Sequence, residues 1–161
     1  MAEHDLFVGI SDIKMGTAPQ VIKTNLGSCI AVCLYAPTKK MGGMLHFMLP
    51  YAPPDEIPGI KMRDEKFADL GIEKIIKQLT RMTDLPANIF TAKIFGGAKV
   101  LKDVYRNIGE ENEDAARMIL EAHGIKIVAA KTRGNKGYKI EFDLTDGSIK
   151  CNVFGEETEV F

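Results

Sequence analysis

The chain has 161 residues, 45% of them hydrophobic and 27% charged. That is enough to bury one core without staples, and one domain, 1–161, is expected. A net charge of −1 excludes the basic stripe of a nucleic-acid binder, and no apolar run is long enough to span a bilayer. The opening MAEHDLFVGI has acids where a secretory signal needs bases, so a cytoplasmic protein is expected.

In chain order, strands are predicted at 6–10 (LFVGI), 20–24 (QVIKT), 29–36 (CIAVCLYA) and 42–49 (GGMLHFML). All are rich in Val, Ile, Phe or Tyr and punctuated by Gly, Pro and Lys. Pro53, Pro54 and Pro58 exclude a regular helix from the following stretch, so 51–59 reads as an exposed loop that could rim a site. Ala68, Ile72, Ile75, Leu79 and Met82 recur at helical spacing and predict an amphipathic helix over 64–82, with Asp64 as its cap. A strand at 91–97 (TAKIFGG) follows. A second helix is predicted over 112–123, capped by Asn112 and stopped by Gly124. Strands return at 125–131, 138–144 and 148–154, the last two joined by the turn signal Asp146-Gly147. Strands, helix, strand, helix, strands predicts an α+β fold with helices packed on sheet.

Three cysteines, Cys29, Cys33 and Cys151, are an odd number in a chain that needs no disulfide framework. On a strand, Cys29 and Cys33 share a face but lie about 13 Å apart, beyond the roughly 7 Å a disulfide spans. There is no Cys-x-x-Cys and no second ligand pair, so no metal or cofactor is implied. Cys33 and Cys151, within strands, fit core packing.

Cys29 differs because it opens a strand after the turn Gly27-Ser28. Strands 29–36 and 42–49 flank a short linker, so antiparallel pairing is expected. Centring the loop between Pro37 and Thr38 sets Tyr35 opposite Lys40, Cys33 opposite Gly42, and Cys29 opposite His46. Directly opposed Cβ atoms lie about 4.5–5.5 Å apart, within reach of a thiol–imidazole hydrogen bond. An adjacent imidazole takes a thiol's proton and lowers its pKa, so alkylation of Cys29 is expected well below the ordinary thiol range. His4 is terminal, and His123 sits at a helix end, where a cation suits the dipole. No Asp or Glu lies between residues 13 and 54. Thr24 and Ser28 are the nearby hydroxyls that could orient His46, against their ordinary uses in strands and turns.

The stretches NLGSCIAVCLY (25–35) and GGMLHFMLP (42–50) resemble CheD, the chemoreceptor glutamine deamidase family of bacterial and archaeal chemotaxis. AKIFGGAKVL (92–101), NIGEEN (107–112) and the run 124–149 continue the resemblance in order. It implies one deamidase domain with an α/β/β layered fold, two mixed sheets and two main helices on one face. It implies a catalytic Cys–His–Thr site, with Cys29 as nucleophile and His46 as general base. Some members carry the threonine six residues before the cysteine, where this chain has Lys23; Thr24 stands five before. Glu111 stands where the family usually has arginine.

The implied reaction is hydrolysis of receptor glutamines to glutamates through a thioester. Backbone N–H groups near Gly27, Ser28 and Cys29 would hold the oxyanion. Gly96-Gly97 and the proline loop border the groove, although a glycine pair at a strand end is equally a simple turn. The implied partners are receptor cytoplasmic helices and a CheC-type CheY-P phosphatase that binds over the active-site region. Polar helix faces and low net charge fit a monomer. Receptor methylesterase activity and a non-catalytic regulatory module stay open as alternatives.

Overall fold

The structure, a computed structural model, describes residues 5–55, 57–101 and 106–161. His4 lies outside them. The strands are β1 (Asp5–Phe7), β2 (Asp12–Thr17), β3 (Val21–Leu26), β4 (Ile30–Ala36), β5 (Met41–Phe47), β6 (Thr91–Gly96), β7 (Lys126–Thr132), β8 (Tyr138–Asp143), β9 (Ile149–Val153) and β10 (Glu159–Val160). The helices are α1 (Ala68–Thr83) and α2 (Ile108–Ala122). Two five-stranded sheets form, in the orders β1-β3-β8-β9-β10 and β2-β5-β4-β6-β7. Both are mixed: β1 runs parallel to β3 and β6 parallel to β7, among antiparallel neighbours.

Every residue of β4 is buried because both faces of its sheet are covered. Ile30, Val32 and Leu34 pack with Ile72, Ile75 and Leu79 of α1 and with Ala116 and Leu120 of α2. Ala31, Cys33 and Tyr35 point the other way, into a second core with Ile22, Ile140, Phe142 and Cys151 of the other sheet. The layers are therefore helices, sheet, sheet. Each large aliphatic chain so buried contributes about 1.5–3 kcal/mol relative to exposure. Cys33 and Cys151 are core residues, as their strand positions predict.

Several expected boundaries shift. β2 and β10 add strands that the composition does not announce; β2 (DIKMGT) has two charges and a glycine. Asp64 opens a short 3₁₀ turn, and α1 starts only at Ala68 after Phe67. α2 starts at Ile108, capped by Asn107, whose side chain accepts from the Glu110 N–H at 3.2 Å. Asn112 is therefore not a cap but a fully buried residue inside the helix. Gly124 stops α2 in the left-handed region (φ 70°), with its N–H on Glu121 O. Gly147 (φ 78°) turns the β8–β9 hairpin. The described residues of the proline loop 51–59 form no helix or strand.

Candidate active site

The β4–β5 hairpin forms, but two residues away from the expected register. Ala31, not Cys29, lies opposite His46, Cys33 opposite Met44, and Tyr35 opposite Gly42. The cause is the turn. Ala36 and Met41 close a four-residue loop in which Lys40 takes φ 50°, a conformation disfavoured for lysine and not signalled by its identity. A shift of two preserves the face of every side chain. Cys29, half-buried just before β4, packs against the inter-sheet core, and His46 faces the same side from β5 opposite Ala31, so the two share a face but form no hydrogen bond.

His46 is 2% exposed, and its tautomer follows from its neighbours. The Thr24 hydroxyl lies 2.7 Å from the Val8 carbonyl oxygen and 2.9 Å from His46 Nδ1. A carbonyl cannot donate, so the single Thr24 proton goes to Val8 and its oxygen accepts. Nδ1 must then carry hydrogen. The lone pair is left on Nε2, which is buried and has no hydrogen-bond partner among the described residues. Burial, opposed in part by the Val8 backbone, lowers the His46 pKa to about 4, so the ring is neutral at neutral pH. Of the two candidate hydroxyls, it is Thr24 and not Ser28 that hydrogen-bonds Nδ1.

The Cys29 loop is held by its carbonyls. Gly27 O accepts from Ala98 N at 2.9 Å, Ser28 O from Asn112 Nδ2 at 3.1 Å, and Cys29 O from Gly97 N at 2.9 Å. The Cys29 thiol is shifted opposite to the expectation: burial raises its pKa, countered only in part by its own backbone N–H. A neutral imidazole supplies no charge to depress it. Burial also pushes the Cys151 thiol up to about 11 and Cys33 higher still.

Gly96 and Gly97 have φ of 103° and 72°. A side chain on Gly96 would collide with Cys29 O, and one on Gly97 with Gly109 O and Ile30. Both are needed for close backbone approach, one under the cysteine and one under α2. Glu111, at the arginine position, is exposed at its tip and accepts from Arg106 Nε at 2.7 Å. The proline loop encloses an open cavity of about 730 Å³ lined by Pro53, Pro58 and Phe67 but by none of Thr24, Cys29 or His46. A smaller cavity of about 180 Å³ adjoins Ser28, lined by Ala98, Val100 and Ile108. Val8 and Asn112 are the contributors that sequence reasoning missed. Val8 acts through a carbonyl that carries no side-chain signature, and Asn112 reads as a cap.

The molecule is thus an α/β/β sandwich of two mixed sheets that gathers a cysteine, a histidine and a threonine on the inter-sheet side of β3, β4 and β5. The family model described as CheD chemotactic sensory transduction matches residues 48–153. Proteins named probable chemoreceptor glutamine deamidase CheD are similar over nearly the whole chain. The one from Desulforamulus reducens is 35% identical over 97% of this chain and 95% of its own, and that from Caldanaerobacter subterraneus is 38% identical over 96% of each. The chemoreceptor glutamine deamidase CheD of Thermotoga maritima is 33% identical over 95% and 96%. The chain belongs to the CheD family. Among solved structures, the Bacillus licheniformis hypothetical protein YfiH matches at TM-score 0.51 with 13% identity. It covers 76% of this chain and 51% of its own length, a likeness of fold alone. No helix among the described residues is long and apolar enough to cross a membrane.

Proposed function

We propose that this protein is a chemoreceptor glutamine deamidase using Cys29 as nucleophile, His46 as general base and acid, and Thr24 to orient the imidazole. The observation that carries the reading is the Val8–Thr24–His46 chain. It commits the Nδ1 proton and leaves the Nε2 lone pair free on the side of the sheet that also carries Cys29. The names of the relatives supply the substrate class.

The Cys29 thiol gives its proton to Nε2 as its sulfur bonds to the glutamine carboxamide carbon. The oxyanion formed is met by backbone N–H groups of the 27–29 loop, foremost that of Cys29, which donates to no carbonyl among the described residues. The imidazolium then protonates the departing nitrogen, releasing ammonia and leaving a thioester. His46 next takes a proton from water, whose oxygen attacks the thioester carbon. Collapse frees glutamate and the thiol. The open Nε2 of His46 in the free enzyme is compatible with this, since such hydrogen bonds commonly close only with substrate present. With a hydroxyl and not a carboxylate behind it, the imidazolium is a strong acid suited to a poor leaving group. A cytoplasmic monomer, fitted by the polar helix faces and low net charge, and a CheC-type phosphatase partner docking over the active-site region, implied by the family resemblance, belong to the same proposal.

The test is mass spectrometry of receptor cytoplasmic fragments incubated with wild type, Cys29→Ala and His46→Ala, with glutamyl methyl ester fragments in parallel. Conversion of glutamine to glutamate by wild type alone is expected. Equal conversion by Cys29→Ala would remove the nucleophile assignment. Ester cleavage without amide cleavage would make the protein an esterase.

A further inference from the structure

Asn112 is 0% exposed and occupies an interior position of α2, where asparagine is a poor helix former. Its carboxamide nitrogen donates to two backbone carbonyls far apart in sequence: Ser28 O at 3.1 Å and Met48 O at 3.0 Å. The first belongs to the peptide that ends at Cys29. The second lies two residues beyond His46. Its own Oδ1 is buried without a partner. Turning the amide over would aim that oxygen at two carbonyl oxygens, so the orientation is set by the two acceptors. An apolar residue would leave no orphan acceptor in the helix. The fold accepts that cost at the place where α2 meets both reacting segments.

The bond to Ser28 O has a geometric consequence. In a planar trans peptide the C=O and N–H point in opposite directions. Anchoring Ser28 O on α2 therefore turns the Cys29 N–H away from the helix. With Gly27 O held by Ala98 and Cys29 O by Gly97, three successive carbonyls of the loop are secured. The approach of α2 is set by glycines. A side chain on Gly109 would collide with the Gly97 carbonyl, and Asn112 lies one turn further along the same face.

We infer that Asn112 is a positioning residue for the hydrolytic site: its carboxamide cross-links the Cys29 loop to the segment after His46 and aims the Cys29 N–H at the oxyanion. This deepens the deamidase reading and rests on it for the identity of the reaction, though the cross-link itself can be tested without substrate.

The experiment compares wild type, Asn112→Ala and Asn112→Asp, with Asn112→Ser as a milder variant should the first two fail to fold. On a glutamine-bearing receptor fragment, kcat is expected to fall about 10- to 100-fold with KM within about twofold of wild type, at temperatures where all are folded by circular dichroism. In parallel, carbonyl-carbon NMR of Ser28 and Met48 should show both resonances moving in the variants, and the rate of Cys29 alkylation by iodoacetamide should change. A folded variant with wild-type kcat, or unmoved Ser28 and Met48 carbonyls, overturns the inference. If wild type itself leaves the glutamine intact while the carbonyl shifts and alkylation rate still respond to Asn112, the deamidase reading fails and the positioning role stands.

Discussion

Thr24 has one hydroxyl proton, and its transfer of that hydrogen bond to Val8 decides the state of His46. Thr24→Val keeps the shape and removes the hydroxyl that accepts from Nδ1–H. Steady-state kinetics should show kcat lowered on the order of tenfold to a hundredfold, less than the 10²–10⁴ that full general acid–base catalysis supplies because the base itself remains, and Thr24→Ser should restore most of it. The buried, neutral His46 also links stability to pH. Its folded pKa of about 4 lies below the ordinary 6.5, so the unfolded chain binds the extra proton. The stability is fully present above about pH 6.5, declines as pH falls toward 4, and changes no further below that. Unfolding free energies from urea titrations of wild type and His46→Gln across that range should diverge by about 3 kcal/mol in total. Cys29 should alkylate with a midpoint above the ordinary 9.0, before Cys151 and Cys33 but not in the acidic range that an ion pair would give.

Secondary-structure elements bring these residues together by close backbone contact. α2 rests on the end of β6 through Gly97 and Gly109, neither of which has room for a side chain. Gly109→Ala should cost about 1–3 kcal/mol by overpacking, read by thermal or urea unfolding. Because it lifts Asn112 off the Cys29 loop, it should also lower kcat at temperatures where the variant is still folded. The same scale shows what sequence could and could not reveal. The strand assignments for β3 to β9 stand because Val, Ile, Phe and Tyr mark them. β2 escapes because an edge strand with Lys14 and Gly16 lacks that signature. The β4–β5 register escapes because Lys40 adopts a left-handed turn without being glycine or asparagine. The error is even, so Cys29 and His46 still share a face. An odd one would have separated them.

Across the whole molecule, one sheet serves two cores. The apolar side chains of the helix-side core contribute packing, and the inter-sheet core borders the proposed site. Leu79→Ala, in the former, should cost about 2–5 kcal/mol and lower the unfolding midpoint without changing kcat below it. The layered fold was legible from the order of strands and helices together with the motif around Cys29. The Thr24 contact was legible only as a candidate, because no local pattern tells which hydroxyl of a neighbouring strand reaches an imidazole. The role of Asn112 was hidden, since a buried helical asparagine and a capping one look alike in sequence.

The proposed mechanism stands on a neutral relay at rest, with hydrogen on Nδ1 of His46 and a free lone pair on Nε2 for the Cys29 proton. Nitrogen-15 NMR of the His46 ring between pH 7.5 and 4 tests it directly. A protonated Nδ1 and bare Nε2 are expected at neutral pH, with imidazolium appearing only near pH 4. Hydrogen on Nε2 alone, or a doubly protonated ring at pH 7, would contradict it.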